Sequence, residues 1–178
     1  MTGTSHSRIE APSAWVCRWA QLIPDGARVL DVAAGSGRHA RYFAARGCRV
    51  DAVDRDAEAM AMLGAVPGVA VLCADIESGP WPYAGISFAG IVVANYLHRP
   101  LFPRLLEALA PGGVLIYETF AAGNERYGRP ANPDFLLRTG ELLELARGRL
   151  RVVAYEDVHV SEPRQAMMQR LCAVRPAP

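Results

Sequence analysis

The chain has 178 residues, 51% of them hydrophobic and 21% charged, with a formal net charge of +1. That length suits one domain with a substantial core and excludes a cofactor domain joined to a full substrate domain. The near-neutral balance excludes a field that would draw the whole molecule to nucleic acid or to a membrane surface.

The N-terminal thirteen residues are polar and lack the apolar segment of a signal peptide. Four cysteines without Cys-x-x-Cys spacing read as reduced thiols, and no apolar run reaches membrane-spanning length. A cytoplasmic protein with no membrane association and no metal site is expected. It should form a single domain over residues 1–178, with residues 1–10 flexible. Val16, Trp19, Ala20 and Ile23 then recur at helical spacing, predicting a helix over 13–23 that Pro24-Asp25-Gly26 ends. Trp15 and Trp19 on this helix belong to the core or roof a site.

A strand is predicted at 28–33, a helix over 38–46 closed by Gly47, a strand at 48–53, a helix over 56–63 and a strand at 69–73. A buried run follows at 87–94. Pro103 suits the first turn of a helix whose Phe102, Leu105, Leu106 and Leu109 share a face. Pro111-Gly112-Gly113 stops that helix and launches a strand at 114–117. Strands alternating with helices imply an α/β, Rossmann-like doubly wound sheet, parallel with right-handed crossovers. Two further runs, 151–158 and 168–174, are separated by Ser161-Glu162-Pro163 and predict a C-terminal antiparallel pair, seven strands in all. Residues 121–138 form an unusually long connection at the strand edge where such sheets bind ligands.

The most informative stretch runs from Arg28 to Asp54. Val29, Leu30 and Val32 suit a buried strand, and Gly35 and Gly37 allow a tight turn where a ligand can approach bare backbone. The helix that follows offers free N–H groups. Asp54 falls where such folds place the acid that grips a ribose, so the pattern reads as a nucleoside-cofactor site.

Several segments together resemble the class I methyltransferases that use S-adenosylmethionine. They are Leu-Asp-Val-Ala-Ala-Gly-Ser-Gly at 30–37, Asp54, Cys-Ala-Asp-Ile at 73–76, Asn95-Tyr96-Leu97-His98 and Leu-Ala-Pro-Gly-Gly-Val-Leu at 109–115. Gly37-Arg38-His39 and the small size are similar to the tellurite-resistance type of small-molecule methyltransferase. Ala33 departs from the glycine that many members have there. The resemblance implies S-adenosylmethionine as cofactor. It implies Asp31 near the methionine ammonium, and the backbone of Ala33, Gly35 and Gly37 beneath the methionine and ribose. Asp54 would accept the ribose hydroxyls and Arg55 lie along the adenine. Asp75 would accept from the adenine amine, Ile76 pack on its ring, and the Asn95 carbonyl face the methionine amine.

Bland readings compete with these. Asp31 alone can cap a turn, Asp75 can start a loop, and His39 can cap its helix as readily as touch substrate. His98 follows the fourth strand and is placed either to take a proton from the acceptor or to bind without acid–base work. Tyr117 and Glu118 end the fifth strand and line the acceptor pocket or complete its wall. Arg126, Tyr127 and Arg129 in the long connection form an anion clamp or a solvated tip.

Gly35-x-Gly37-x-x-Ala40 also fits a dinucleotide fingerprint, leaving an NAD-dependent oxidoreductase as an alternative, beside a non-catalytic S-adenosylmethionine-binding module. No Asn-Pro-Pro-Tyr sequence or cysteine follows the fourth strand and no basic aromatic platform is apparent, so nucleic acid is not the expected partner. The expected partner is a small polar or anionic molecule, bound by a monomer or homodimer.

Overall fold

A computed structural model describes residues 11–177; the flexibility expected of residues 1–10 lies outside the described residues. Five strands run parallel: β1 (Arg28–Val32), β2 (Arg49–Asp54), β3 (Val69–Cys73), β4 (Phe88–Ala94) and β5 (Leu109–Phe120). The strands β6 (Arg151–Val160) and β7 (Ala166–Val174) close the sheet as an antiparallel hairpin, in the order β3-β2-β1-β4-β5-β7-β6. The strand order reverses between β1 and β4, which opens a crevice at their carboxyl ends. This is the Rossmann-like, mostly parallel, seven-stranded sheet that the sequence predicts.

Local chemistry explains the helices. Ser13 caps α1 (Ala14–Trp19) by accepting from the Trp15 and Val16 N–H groups, and a 3-10 turn, Ala20–Leu22, extends it. Gly37, at φ +77°, leads into α2 (Arg38–Ala45), and Asp56 caps α3 (Ala57–Leu63). Pro103 occupies the first turn of α4 (Phe102–Ala108).

The two sheet faces bury separate cores. Leu30, Val32, Val93, Leu115 and Leu171 pack with Leu105 and Leu142 on one side. Val29, Val92 and Ile116 pack with Trp15, Phe43 and Leu63 on the other. A smaller cluster of Phe120, Leu136, Ala166 and Met168 closes the corner where β5 leaves the sheet.

Two features differ from the sequence reading. The strand expected at 114–117 spans Leu109–Phe120, because Leu109 already pairs with Phe88 before a register shift and the pairing with β7 continues to Phe120. The connection after it contains an unpredicted helix, α5 (Glu141–Ala146). Six residues supply too short an apolar repeat to stand out in sequence.

Candidate active site

The carboxyl ends of β1, β2, β3, β4 and β5 surround a cleft of about 490 Å³. Its wall includes Ala33, Asp54, Arg55, Asp75, Ile76 and Asn95, so six of the nine expected cofactor residues converge on one cavity. Gly35, Gly37 and Asp31 stand behind that wall.

The turn after β1 shows how the convergence is built. Asp54 ends β2 with both carboxylate oxygens engaged: Oδ2 accepts from the Gly35 N–H at 2.8 Å and Oδ1 from the Asp56 N–H at 2.9 Å. Each oxygen retains a second lone pair, so the carboxylate can hold the glycine turn and still accept from a ligand. Gly35 has φ +53°, and a Cβ placed there would meet nothing within 4 Å. That open space is available to a cofactor approaching the backbone.

Gly37 is different. A Cβ there would lie 2.4 Å from a Leu63 methyl, and φ +77° is a left-handed conformation that favours glycine, so backbone shape and packing on α3 both suit glycine here. Ala33 takes φ +54°, a left-handed conformation that disfavours a side chain, which explains why glycine suits the position.

Asp31 is buried, and its Oδ2 accepts from the Ala40 N–H at 2.9 Å in the first turn of α2. Its carboxyl thus ties β1 to α2 from beneath the turn and does not line the cleft. Burial raises its pKa to about 7 against the lowering effect of the Ala40 bond. His39 is also buried; its Nε2 accepts from the Ser13 N–H at 3.2 Å and anchors the start of α1. Burial, with Arg38 nearby, lowers its pKa to about 3. Neither a helix cap nor a substrate contact describes this histidine. Trp15 is core, donating from Nε1 to the Leu171 carbonyl at 3.4 Å.

At the far side of β2, Asp75 accepts from the Glu77 N–H at 2.9 Å and from the Ser78 hydroxyl at 2.7 Å. The Ser78 and Glu77 bonds hold its carboxyl below the usual range. It does start a turn, and it does face the cleft. Asn95 follows β4 at φ +56°. Two bonds from β5 fix it: its N–H donates to the Glu118 carbonyl at 2.9 Å, and the Tyr117 hydroxyl donates to the Tyr96 carbonyl at 2.9 Å.

The residues expected to carry catalysis and substrate binding do not line this cavity. Tyr117 is buried, with its hydroxyl spent on Tyr96. Glu118 is buried on the opposite face in an ion pair with Arg170, at 3.2 Å. Because β5 runs three residues further than predicted, the side chains at its cleft end are Thr119 and Phe120. His98 does not line the cavity; its Nδ1 lies 3.9 Å from Oε2 of Glu77, two residues past Asp75 and so on the β3 flank. Arg126, Tyr127 and Arg129 are exposed, with Tyr127 packed on His159 at 4.7 Å between ring centroids. The residue of that stretch that reaches the cavity is Pro130, whose carbonyl accepts from Asn124 Nδ2 at 2.9 Å.

Phe135 and Arg99 escape a sequence reading. Phe135 completes the cleft wall beside Phe120 and Pro130. Arg99 donates to the carbonyls on either side of it, Asp134 and Leu136, each at 2.8 Å. It also pairs with buried Glu141 at 2.6 Å. Burial pushes the Glu141 carboxyl up, but the Arg99 and Arg138 bonds outweigh it and leave the group below its usual range. No local pattern links Arg99 to a segment 35 residues away.

Residues 29–113 match the family described as "Methyltransferase domain". Among solved structures, the fold is similar to a TehB-like SAM-dependent methyltransferase from Corynebacterium glutamicum, at TM-score 0.67 and 19% identity over 90% of this chain and 86% of that one. TehB from Haemophilus influenzae is similar at TM-score 0.73 and 17% identity, covering 90% of this chain and 61% of that one. A 1,6-didemethyltoxoflavin-N1-methyltransferase from Burkholderia thailandensis, with S-adenosylhomocysteine bound, is similar at TM-score 0.67 and 23% identity, covering 92% and 76%. A comparison with curated proteins gives no match.

The fold is that of the class I methyltransferases. The family match and the fold together support an S-adenosylmethionine-dependent methyltransferase, and they weigh against the nicotinamide alternative. Among the described residues, no helix is long and apolar enough to cross a membrane.

Proposed function

We propose that this enzyme methylates a small polar or anionic acceptor seated at the β5 end of the cleft, in the cytoplasm. In this reading the ribose hydroxyls bond the free lone pairs of Asp54. Asp75 accepts from the adenine amine, Ile76 and Arg55 flank the base, and the Asn95 carbonyl receives the methionine amine. Ala33 and Gly35 pass beneath the ligand, while Asp31 and Gly37 hold the turn in shape. The observation that carries this assignment is the meeting of Ala33, Asp54, Asp75, Ile76 and Asn95 in one cavity.

The bound sulfonium supplies an already activated methyl group. The chain's contribution is therefore alignment, which contributes up to about 7–11 kcal/mol in favourable cases. At the β5 end the wall is Thr119, Phe120, Pro130 and Phe135, with no ionisable side chain among these four. Such a wall orients an acceptor and excludes water without supplying a base. It suits an acceptor that is nucleophilic as it arrives, or one that releases its proton to solvent through the open mouth. His98 is then a partner of Glu77 at the nucleoside end. The small cavity, most of it needed for the cofactor, favours a small molecule over a polymer.

Calorimetry with S-adenosylhomocysteine, followed by transfer of labelled methyl to a panel of small phenols, thiols, amines and acids, tests the reading. Saturable binding with turnover of at least one panel member is expected. Binding without turnover across the panel would favour a non-catalytic module.

A further inference from the structure

One end of the cleft is built unlike the rest. Phe135 is 54% exposed, although its ring is apolar and it belongs to the cavity wall. Such exposure in a loose loop would mean little. Here Arg99 clamps the carbonyls on both sides of Phe135, so the ring is displayed from a fixed backbone. Phe120 is 8% exposed and rests on the small corner cluster of Leu136, Ala166 and Met168. Two aromatic rings, Phe120 and Phe135, together with Pro130, thus present rigid apolar surface to the cavity. Rings of this kind favour the face or edge of another planar group.

A cation is joined to the same wall. Arg164, in the turn between β6 and β7, holds its guanidinium carbon 5.1 Å from the centroid of the Phe120 ring. Arg164 is exposed and does not itself line the cleft, but the stacking sets it beside a residue that does. Among the described residues no carboxylate pairs with Arg164. Other charges in this region are engaged elsewhere or, like Arg164, exposed without a stacking contact on the wall. Arg138 pairs with Glu141, Glu125 accepts from the Gly123 N–H, and Asp134 and Glu162 are exposed. A guanidinium stacked on Phe120, with no carboxylate partner among the described residues, can receive a planar carboxylate through two parallel N–H bonds.

We propose that Phe120, Phe135 and Arg164 form the acceptor subsite, and that it selects a one-ring aromatic carboxylate. The ring packs against Phe120 and Phe135 while its carboxylate meets Arg164. This rests on the reading above that the acceptor occupies the β5 end. It replaces the anion clamp expected at Arg126 and Arg129, which no ring contact ties to the wall.

The test uses benzoate and neutral benzamide as probes, titrated by NMR into full-length protein saturated with S-adenosylhomocysteine. The wild type should bind benzoate at least about tenfold more tightly than benzamide. Arg164→Ala should erase that preference, Arg164→Lys should keep part of it, and Phe135→Ala should weaken both probes. S-adenosylhomocysteine affinity should stay unchanged in all three variants, which also reports that they fold. Equal affinity for the two probes in the wild type, or a preference that survives Arg164→Ala, would overturn the subsite. Failure of the wild type to bind S-adenosylhomocysteine at all would instead overturn the cofactor assignment beneath it.

Discussion

The two ends of the cleft are held together by different means. At the nucleoside end, the acids at the tips of β1, β2 and β3 each accept from a backbone N–H within about ten residues or from the adjoining turn. At the β5 end the wall comes from segments far apart in sequence, joined by Arg99, Asn124 and the β6–β7 hairpin. The first arrangement makes fixed polar contacts that suit one cofactor. The second offers a rigid apolar surface that changes with a few loop residues. On the proposed assignment, recognition of the cofactor is separated from the choice of acceptor, in keeping with sites grafted by loops onto a common sheet.

Variants at each end should separate the two. Arg99→Ala should have the largest effect, because it leaves buried Glu141 with only its Arg138 bonds and frees the loop behind Phe135. A stability loss of about 2–3 kcal/mol is expected, toward the low end for a broken buried pair because the Arg99 side chain is 33% exposed. Chemical denaturation measures it, and the affinity for S-adenosylhomocysteine should hardly change. Asp54→Ala should do the reverse, costing about 1–3 kcal/mol of cofactor affinity by calorimetry. An unaltered dissociation constant would remove Asp54 from the ribose site.

The buried pair beneath the glycine turn gives a prediction in pH. Folded Asp31 keeps its proton up to about pH 7 while the unfolded chain loses it near 3.8, so this group makes stability fall as pH rises between those values. His39 works the other way. Unfolded, it binds a proton below about 6.5, whereas folded it stays neutral down to about 3, so stability rises with pH across that window. From about pH 4 to 6.5 the two oppose each other. Asp31→Asn should expose a rising slope and His39→Gln a falling one, each up to about 1.4 kcal/mol per pH unit. Parallel pH profiles for the two variants would contradict the assignment.

A smaller effect is expected for Tyr117→Phe, which leaves the Tyr96 carbonyl without its donor. The loss should be about 1 kcal/mol of stability, with a few-fold weaker cofactor binding as the Asn95 turn relaxes. Unchanged cofactor affinity would show that Tyr117 supports the core alone.

The same contrast explains what the sequence made legible. The sheet, its order of elements and the cofactor wall follow from short-range signals: strand periodicity, a glycine turn and acids one strand apart. The acceptor end depends on where β5 stops and on how residues 121–137 return to the sheet. Strand pairing with β7 decides the first, carrying the edge from Tyr117 to Phe120. Arg99 and Asn124 decide the second, through bonds to backbone that leave no spacing to read. Tyr117, Glu118 and His98 are candidates by their place after strands. Tyr117 and Glu118 have side chains bonded to Tyr96 and Arg170, and His98 lies 3.9 Å from Glu77, placements visible only in three dimensions.

A crystal structure of the complex with S-adenosylhomocysteine tests the central assignment most directly. The ribose should bond Asp54, the adenine amine should point at Asp75, and the sulfur should face Thr119 and Phe120. A ligand bound with its ribose away from Asp54, or lying outside this crevice, would contradict it.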